Sequence, residues 1–339
     1  MNILIVKLSA IGDVIHALPV SRALKQTYPE CRITWIVEKP AYDLLTNNPD
    51  IDELILFEKA KFKSFSGFFQ NSAILKKQLK SKKFDVVLDL QGLFKSAALA
   101  WMSGASKRLG YCNMRELSGL ISKAVCGPNQ TGHVVERYLD VARALGCEVE
   151  RPEWVITPSK EDKEKGKGIL HENGLDIQDN YIVVAPGTNW QSKCWPAESY
   201  AKLADEIGQK LGVPIVLVGA PKDKELALTI QKNTQAKIYN IIGKTTLKQL
   251  AYIMGQSMLF IGGDTGPMHL AVAMDTPVIT IFGPTDPVRN GPYGSDNIIL
   301  KANISCSPCF KKNCPTVECM RQVSPEDVFQ AILEITNLS

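Results

Sequence analysis

With 339 residues, 45% apolar and 22% charged, the chain is too long for one ordinary core and has the make-up of a folded, soluble pair of domains. A net charge of +4 is too small for a dedicated nucleic-acid binder, and no apolar stretch is long enough to cross a bilayer. The opening MNILIVK has no leader pattern, so the expected location is the cytoplasm, with all nine cysteines free and reduced.

Short runs of Val, Ile and Leu predict strands over Asn2–Val6, Ile33–Val37, Glu53–Phe57 and Phe84–Leu88. Helical periodicity falls over Ile15–Tyr28, Phe68–Lys80 and Gly132–Leu145. The apolar run Leu93–Met102 also reads as a helix, and its expected place is the core. Near-continuous apolar strands alternating with helices imply a parallel sheet covered on both faces. Polar, proline-bearing residues Arg151–Glu164 form the expected linker. Beyond it come strands over Tyr181–Ala185, Pro214–Val218, Met258–Ile261 and Val278–Phe282, with helices over Ala197–Leu211, Lys222–Lys232, Leu247–Gly255 and Gly266–Met274. A last helix is predicted over Pro325–Ile335. The fold class is therefore α/β, with two Rossmann-like doubly wound domains spanning 1–155 and 156–320. Such domains bind ligands beyond the carboxyl ends of their strands.

Several nucleotide and metal signatures fail. No dinucleotide glycine fingerprint follows a predicted strand, which argues against a dehydrogenase. Gly243-Lys244-Thr245 ends like a P-loop, but the upstream glycine position holds Ile238. Asp50 and Asp52 have the spacing of a metal-holding pair, yet they occupy a proline-bearing segment that reads as an exposed turn. No nucleophile elbow is present.

Three strand-to-helix junctions carry chemistry. In Ser9–Asp13, Gly12 permits close backbone approach, and Asp13 is either a general base or simply the cap of the following helix. Pro186–Lys193 offers a hydroxyl and a lysine on a loop, a reasonable phosphate cradle. Gly262–His269 places two glycines, Asp264 and Thr265 at a helix start, an anion-site candidate or an ordinary N-cap. His269 fits either a core position or a ligand contact. Phe282–Pro287 reads as a pocket wall.

These segments resemble glycosyltransferase family nine. The resemblance runs in the right order over Val6–Pro19, Asp89–Ser96, Pro186–Lys193, Gly263–His269 and Phe282–Pro287, nearly the whole chain. It implies the two-domain GT-B fold, no metal requirement, and a final segment, 321–339, whose helix packs back on the first domain. The opening motif and Gln91–Ser96 are most similar to the heptosyltransferases that act first on the inner core. Those transfer L-glycero-D-manno-heptose from ADP-heptose to a Kdo residue of lipid A, with inversion, at the inner face of the inner membrane. By the resemblance Asp13 is the base, Gly12 lies beside the donor, and Thr188 and Lys193 contact its diphosphate. Asp264, Thr265 and Gly266, with His269 nearby, hold the donor sugar and phosphate. Asp223 serves the ribose where the family usually has Glu, and Thr245 lines the adenosine site. Lys59, Lys61 and Lys63, with Arg115, are the candidate acceptor contacts. A second lysine cluster, Lys76 to Lys83, reads as solvated surface. The rival readings are a family-nine enzyme with another donor or a later core acceptor, a sugar-nucleotide epimerase of the same architecture, and a non-enzymatic lipid binder.

Cysteines divide into two groups. Cys31, Cys112, Cys126, Cys147 and Cys194 are scattered and expected to be small buried side chains. Cys306, Cys309, Cys314 and Cys319 are close enough in sequence to hold a structural zinc ion or iron–sulfur cluster, or to pack as free thiols.

Overall fold

The computed structural model describes residues 1–62 and 64–336, apart from the side chains of Phe65, Ser66 and Phe68. It divides at the middle into two compact units, Met1–Thr157 and Pro158–Ser339.

The first unit runs β1 (Asn2–Val6), α1 (Ile11–Thr27), β2 (Arg32–Glu38), α2 (Lys39–Leu45), β3 (Glu53–Phe57), α3 (Phe65–Ser81), β4 (Val86–Asp89), α4 (Phe94–Met102), β5 (Lys107–Tyr111), β6 (Lys123–Val125) and α5 (Val134–Arg143). Its six parallel strands lie in the order β3-β2-β1-β4-β5-β6. Central strands are buried on both faces, which explains their unbroken apolar runs. Leu4, Val6, Ile36, Ile55, Phe57 and Val87 form one face and pack against Leu75 and Leu79 of α3 and Leu99 and Ala100 of α4. On α1, α5 packs instead.

The second unit repeats the wiring: α6 (Lys160–Glu172), β7 (Ile182–Ala185), α7 (Ala197–Lys210), β8 (Ile215–Leu217), α8 (Lys224–Lys232), β9 (Ile238–Asn240), α9 (Leu247–Met254), β10 (Leu259–Gly263), α10 (Gly266–Ala273), β11 (Val278–Phe282), α11 (Pro287–Asn290), β12 (Asn297–Lys301), α12 (Glu318–Arg321) and α13 (Pro325–Thr336). Its sheet order, β12-β11-β10-β7-β8-β9, is the same pattern read from the other edge. In each sheet the first strand lies beside the fourth, so successive connections diverge there and leave a crevice at the strand carboxyl ends.

The structure corrects several expectations. Residues 160–164 are not linker but the first turn of α6, capped by Ser159, whose hydroxyl accepts from Asp162 N. Within its own unit, helix α13 buries Val328, Phe329, Ala331 and Ile332 against α7 and the β11–β12 edge. Cys112 and Cys126 are neither buried nor free but disulfide-bonded. The pairing Tyr111↔Val125 makes them the next residues on two adjacent parallel strands, with Cα atoms 4.6 Å apart. Cys31 and Cys147 are buried as expected, whereas Cys194 is half-buried. Asp50 and Asp52 do form a turn, but Asp50 is buried rather than exposed: Asp52 accepts from Ile33 N at 2.7 Å, and each pairs with a cation of α1. Among the described residues no helix is long and apolar enough to cross a membrane.

Candidate active site

In the first unit the crevice between β1 and β4 is tied across its floor. Gln91, just past β4, accepts with Oε1 from Leu8 N at 3.0 Å and Ser9 N at 3.1 Å, just past β1. The position of Gly92 has φ of +66°, and a Cβ there would come within 2.8 Å of the Tyr111 ring, so only glycine fits. Below, the buried Lys7 ammonium donates to Leu90 O at 3.1 Å and to Tyr138 Oη at 2.8 Å. Asp89 is fully buried and accepts from Gly92 N at 2.9 Å. Burial pushes its carboxyl up; hydrogen bonds from Gly92, Ser96 and Gln91 and the Lys7 charge pull the other way. Gln91, Asp89 and Lys7 thus build the platform that fixes the loop after β1. Sequence reading gave none of them a role by itself, because the partners of Lys7 and Gln91 lie 82 to 131 residues away.

Asp13 lies on that loop in the first turn of α1, half-exposed, with Gly12 beside it. Its Oδ2 accepts from Ala10 N at 3.1 Å. The carboxylate therefore does cap the helix, and the same contact holds it at the strand-end edge of the first sheet.

In the second unit Lys193 and Asp264 meet. The Lys193 ammonium donates to Asp264 Oδ2 at 2.6 Å and lies over the Trp190 ring, 4.3 Å from its centroid. Thr285 Oγ1 donates to the same carboxylate oxygen at 2.8 Å, and His269 Nε2 is 3.8 Å from Oδ1. His269 is buried, at the first turn of α10, whose N-cap is Thr265 and whose first residue is Gly266. A Cβ at Gly263 would approach Lys193 O at 3.1 Å, so a side chain at this strand end would crowd the turn that carries Lys193. The bridge spans the divergence of the β7 and β10 connections.

Around it the other predicted positions converge on the same sheet edge. Thr188 is held by its Oγ1 donating to Trp190 O at 2.6 Å, and Lys222 donates to Thr188 O at 2.9 Å. Asp223, ending a 3-10 turn after β8, accepts from Ala220 N at 2.9 Å. A Cβ on Gly187 would lie 2.2 Å from the Asp223 Cγ, so glycine there admits the carboxylate beneath the β7 loop. Thr245 follows the turn after β9, where Gly243 N donates to Gly219 O at 2.9 Å and draws that loop beside the Asp223 loop.

The acceptor candidates are dispersed. Lys59 and Lys61 lie in an exposed 3-10 turn past the edge strand β3, with Lys61 paired to Glu58. Lys63 lies outside the described residues. Arg115 is exposed on the loop after β5, its N donating to Gly92 O at 2.8 Å, on the opposite flank of β1.

The cysteine segment braces the carboxyl-end loops of the second sheet. Ser192 donates from N to Lys312 O and from Oγ to Lys311 O, while Ser307 Oγ donates to Gly283 O at 2.6 Å and Phe310 N to Pro284 O at 2.8 Å. Those bonds lock the turn that carries Lys193 to the loop that carries Thr285. Cys319 is buried against Gly283, where a Cβ would meet its sulfur at 2.7 Å, and burial pushes its thiol up. Cys306 is exposed. Among the described residues no three His, Cys, Asp or Glu side chains form a group that could hold a metal ion. The tetrahedral arrangement of Cys306, Cys309, Cys314 and Cys319 is therefore not preformed. A cavity of about 670 Å³ lies at the opposite edge of the second sheet, by Asp179, Pro214 and Lys237, away from all these groups.

Comparison with known proteins agrees with this geometry. A profile of glycosyltransferase family 9 (heptosyltransferase) matches residues 73–319. Lipopolysaccharide core heptosyltransferase OpsX of Haemophilus influenzae is 28% identical over 305 residues, 88% of this chain and 84% of its own. Lipopolysaccharide heptosyltransferase 1 of Pseudomonas aeruginosa is 28% identical over 330 residues, 94% and 89% of the two chains. A family 9 glycosyl transferase from Veillonella parvula superposes with a TM-score of 0.86 at 26% identity, covering 100% of this chain and 98% of that one. The Escherichia coli heptosyltransferase WaaC with ADP superposes at 0.76 with 25% identity, covering 99% and 100%. The architecture is the GT-B fold.

Proposed function

Because the chain belongs to glycosyltransferase family 9, the heptosyltransferases, we propose that it moves L-glycero-D-manno-heptose from ADP-heptose to a Kdo residue of the lipid A inner core in lipopolysaccharide biosynthesis. The observation that carries this reading is the Lys193–Asp264 bridge at the start of α10, a cation and a helix N-terminus set at one crevice. On donor binding the diphosphate takes over the Lys193 ammonium, and Asp264 with His269 turns to the sugar. Charge developing on departing ADP is stabilised by Lys193, Thr188 and the N–H groups of Thr265 and Gly266. Asp223 accepts from ribose hydroxyls, and Thr245 lines the adenosine. Asp13 takes the proton of the acceptor hydroxyl as its oxygen bonds to the anomeric carbon and the bond to phosphate breaks, inverting the centre. Lys59, Lys61, Lys63 and Arg115 meet acceptor phosphates and carboxylates, and the enzyme works peripherally at the cytoplasmic face of the inner membrane.

A second reading, a later core acceptor, is supported by identity that does not separate the heptosyltransferase types: the relatives named heptosyltransferase 3 of Escherichia coli and heptosyltransferase 1 of Pseudomonas aeruginosa are 29% and 28% identical to this chain. ADP release from ADP-heptose with Kdo-bearing lipid A, against a heptose-bearing core, separates the two. Release with the first acceptor, lowered about a thousandfold in kcat by Asp13→Asn with ADP affinity kept, is the expected result. Release with the longer core alone moves the assignment to the second reading, and full activity of the variant removes Asp13 as the base.

A further inference from the structure

Apolar exposure and positive charge coincide on one side of the first unit. Among the described residues, six of the eleven well-exposed large apolar side chains fall between Phe69 and Leu120. Residues 65–125 contain ten Lys or Arg against three Asp or Glu, a net of +7 where the whole chain carries +4. The rest of the chain is therefore net negative.

The helices place these residues together. Phe94 (60% exposed) and Trp101 (54%) are seven residues apart on α4, two turns along one stripe, with Ala98 between. This helix, expected in the core, buries only Ser96, Ala97, Leu99 and Ala100. Lys76 of α3 lies over the Trp101 ring, 4.6 Å from its centroid, so α3 runs alongside α4 with Phe69 two turns before Lys76 on the same stripe. On the other flank, Glu116 accepts from Phe94 N at 3.2 Å, which sets Leu117 (75% exposed) beside the start of α4. Arg108 donates to Ala105 O and Ile121 O, which sets Leu120 (84%) beside its end. Exposed Lys107 and Lys123 open the neighbouring strands, and the Lys80 stem lies against Gly104.

We propose that this face, α4 with the 117–120 turn and the facing side of α3, seats the protein on a bilayer containing anionic phospholipid. Charge selects the occupant: a protein partner for an apolar patch needs no lysine ring, whereas Phe, Trp and Leu rimmed by Lys match a headgroup layer whose phosphates lie at the rim and whose acyl chains begin below. Long lysine stems reach past the patch to phosphate while covering apolar surface. The proposal deepens the lipid-acceptor reading but is tested without the acceptor's chemistry.

The experiment is co-sedimentation of the full chain with vesicles of phosphatidylcholine alone and with about one-third phosphatidylglycerol, at low and high salt, beside activity on a detergent-free, de-acylated acceptor. Expected is binding to the anionic vesicles, weakened by salt. Trp101→Ser/Leu120→Ser should lose about a hundredfold in partitioning, Lys76→Glu/Lys123→Glu about tenfold, both with unchanged melting and unchanged turnover of the soluble acceptor. Undiminished binding by the apolar variant overturns the proposal. So does a wild-type dimer, abolished by the apolar variant, in protein that ignores vesicles: a second copy is then the occupant. Activity without vesicle binding sinks this inference and leaves the function standing; binding without activity does the reverse.

Discussion

Lys193 and Asp264, 71 residues apart, form a pair with side chains only 14% and 9% exposed. A buried pair of this kind is weak evidence for stability, since desolvation offsets much of the attraction. Its meaning is competitive: the carboxylate occupies the ammonium that a diphosphate would use. Asp264→Asn removes that competing charge at nearly constant shape. ADP should then bind at least about fivefold more tightly, because a unit charge near 4 Å is worth about 1–4 kcal/mol at the dielectric of a partly wet site. Turnover of the sugar nucleotide should fall, because the acceptor of its hydroxyls is weakened. Calorimetry with ADP checks the first expectation; weaker ADP binding would show that Asp264 orders Lys193 rather than competing with its ligand. At this scale the sequence revealed residue types but not their pairings. Asp264 and Lys193 were each legible as members of strand-end motifs, while Gln91 became a bridge only once β1 and β4 were known to be neighbours.

Strands whose side chains are mostly hidden were legible, and short or polar ones were not. Asn2–Val6 and Val278–Phe282 have the bounds expected of them. Lys107–Tyr111, Lys123–Val125 and Ile238–Asn240 were missed because they lie toward sheet edges, where tertiary pairing overrides a weak local pattern. That omission hid the disulfide. Once β5 and β6 pair, Cys112 and Cys126 emerge side by side, and their bond closes a loop of 14 residues. Chain entropy for such a loop gives about 3 kcal/mol, so Cys112→Ser/Cys126→Ser should lower the stability of the first unit by about 2–3 kcal/mol in denaturant unfolding. Thiol titration of the unfolded, unreduced chain should find seven thiols, rising to nine after reduction. Nine before reduction would remove the bond and return Cys112 and Cys126 to the free group. For α13 the helix itself was legible, and its apolar face specifies burial without specifying which sheet receives it.

Over the whole molecule the division of labour is by unit. Every donor-side candidate but Gly12, from Thr188 to His269, lies in residues 158–339, and Gly12, Asp13 and the acceptor-side cations lie in 1–157. Sequence alone revealed this because each motif follows a strand, and duplicated wiring places all such motifs at the carboxyl ends of their sheets. A ligand that binds one unit should therefore stabilise that unit's loops by mass action, about 2.7 kcal/mol at a hundredfold excess over its Kd. Hydrogen exchange of the full chain with ADP should slow residues 186–193, 219–224, 243–246 and 263–269, and leave 8–13 and 89–93 unchanged. Protection at 243–246 tests Thr245, whose place in the adenosine site rests on one turn held to Gly219. No slowing there removes Thr245 from the donor set while Lys193 stands. Slowing at 8–13 by ADP alone would mean that the nucleotide itself engages the first unit, and Asp13→Asn would then be expected to change ADP affinity as well as turnover.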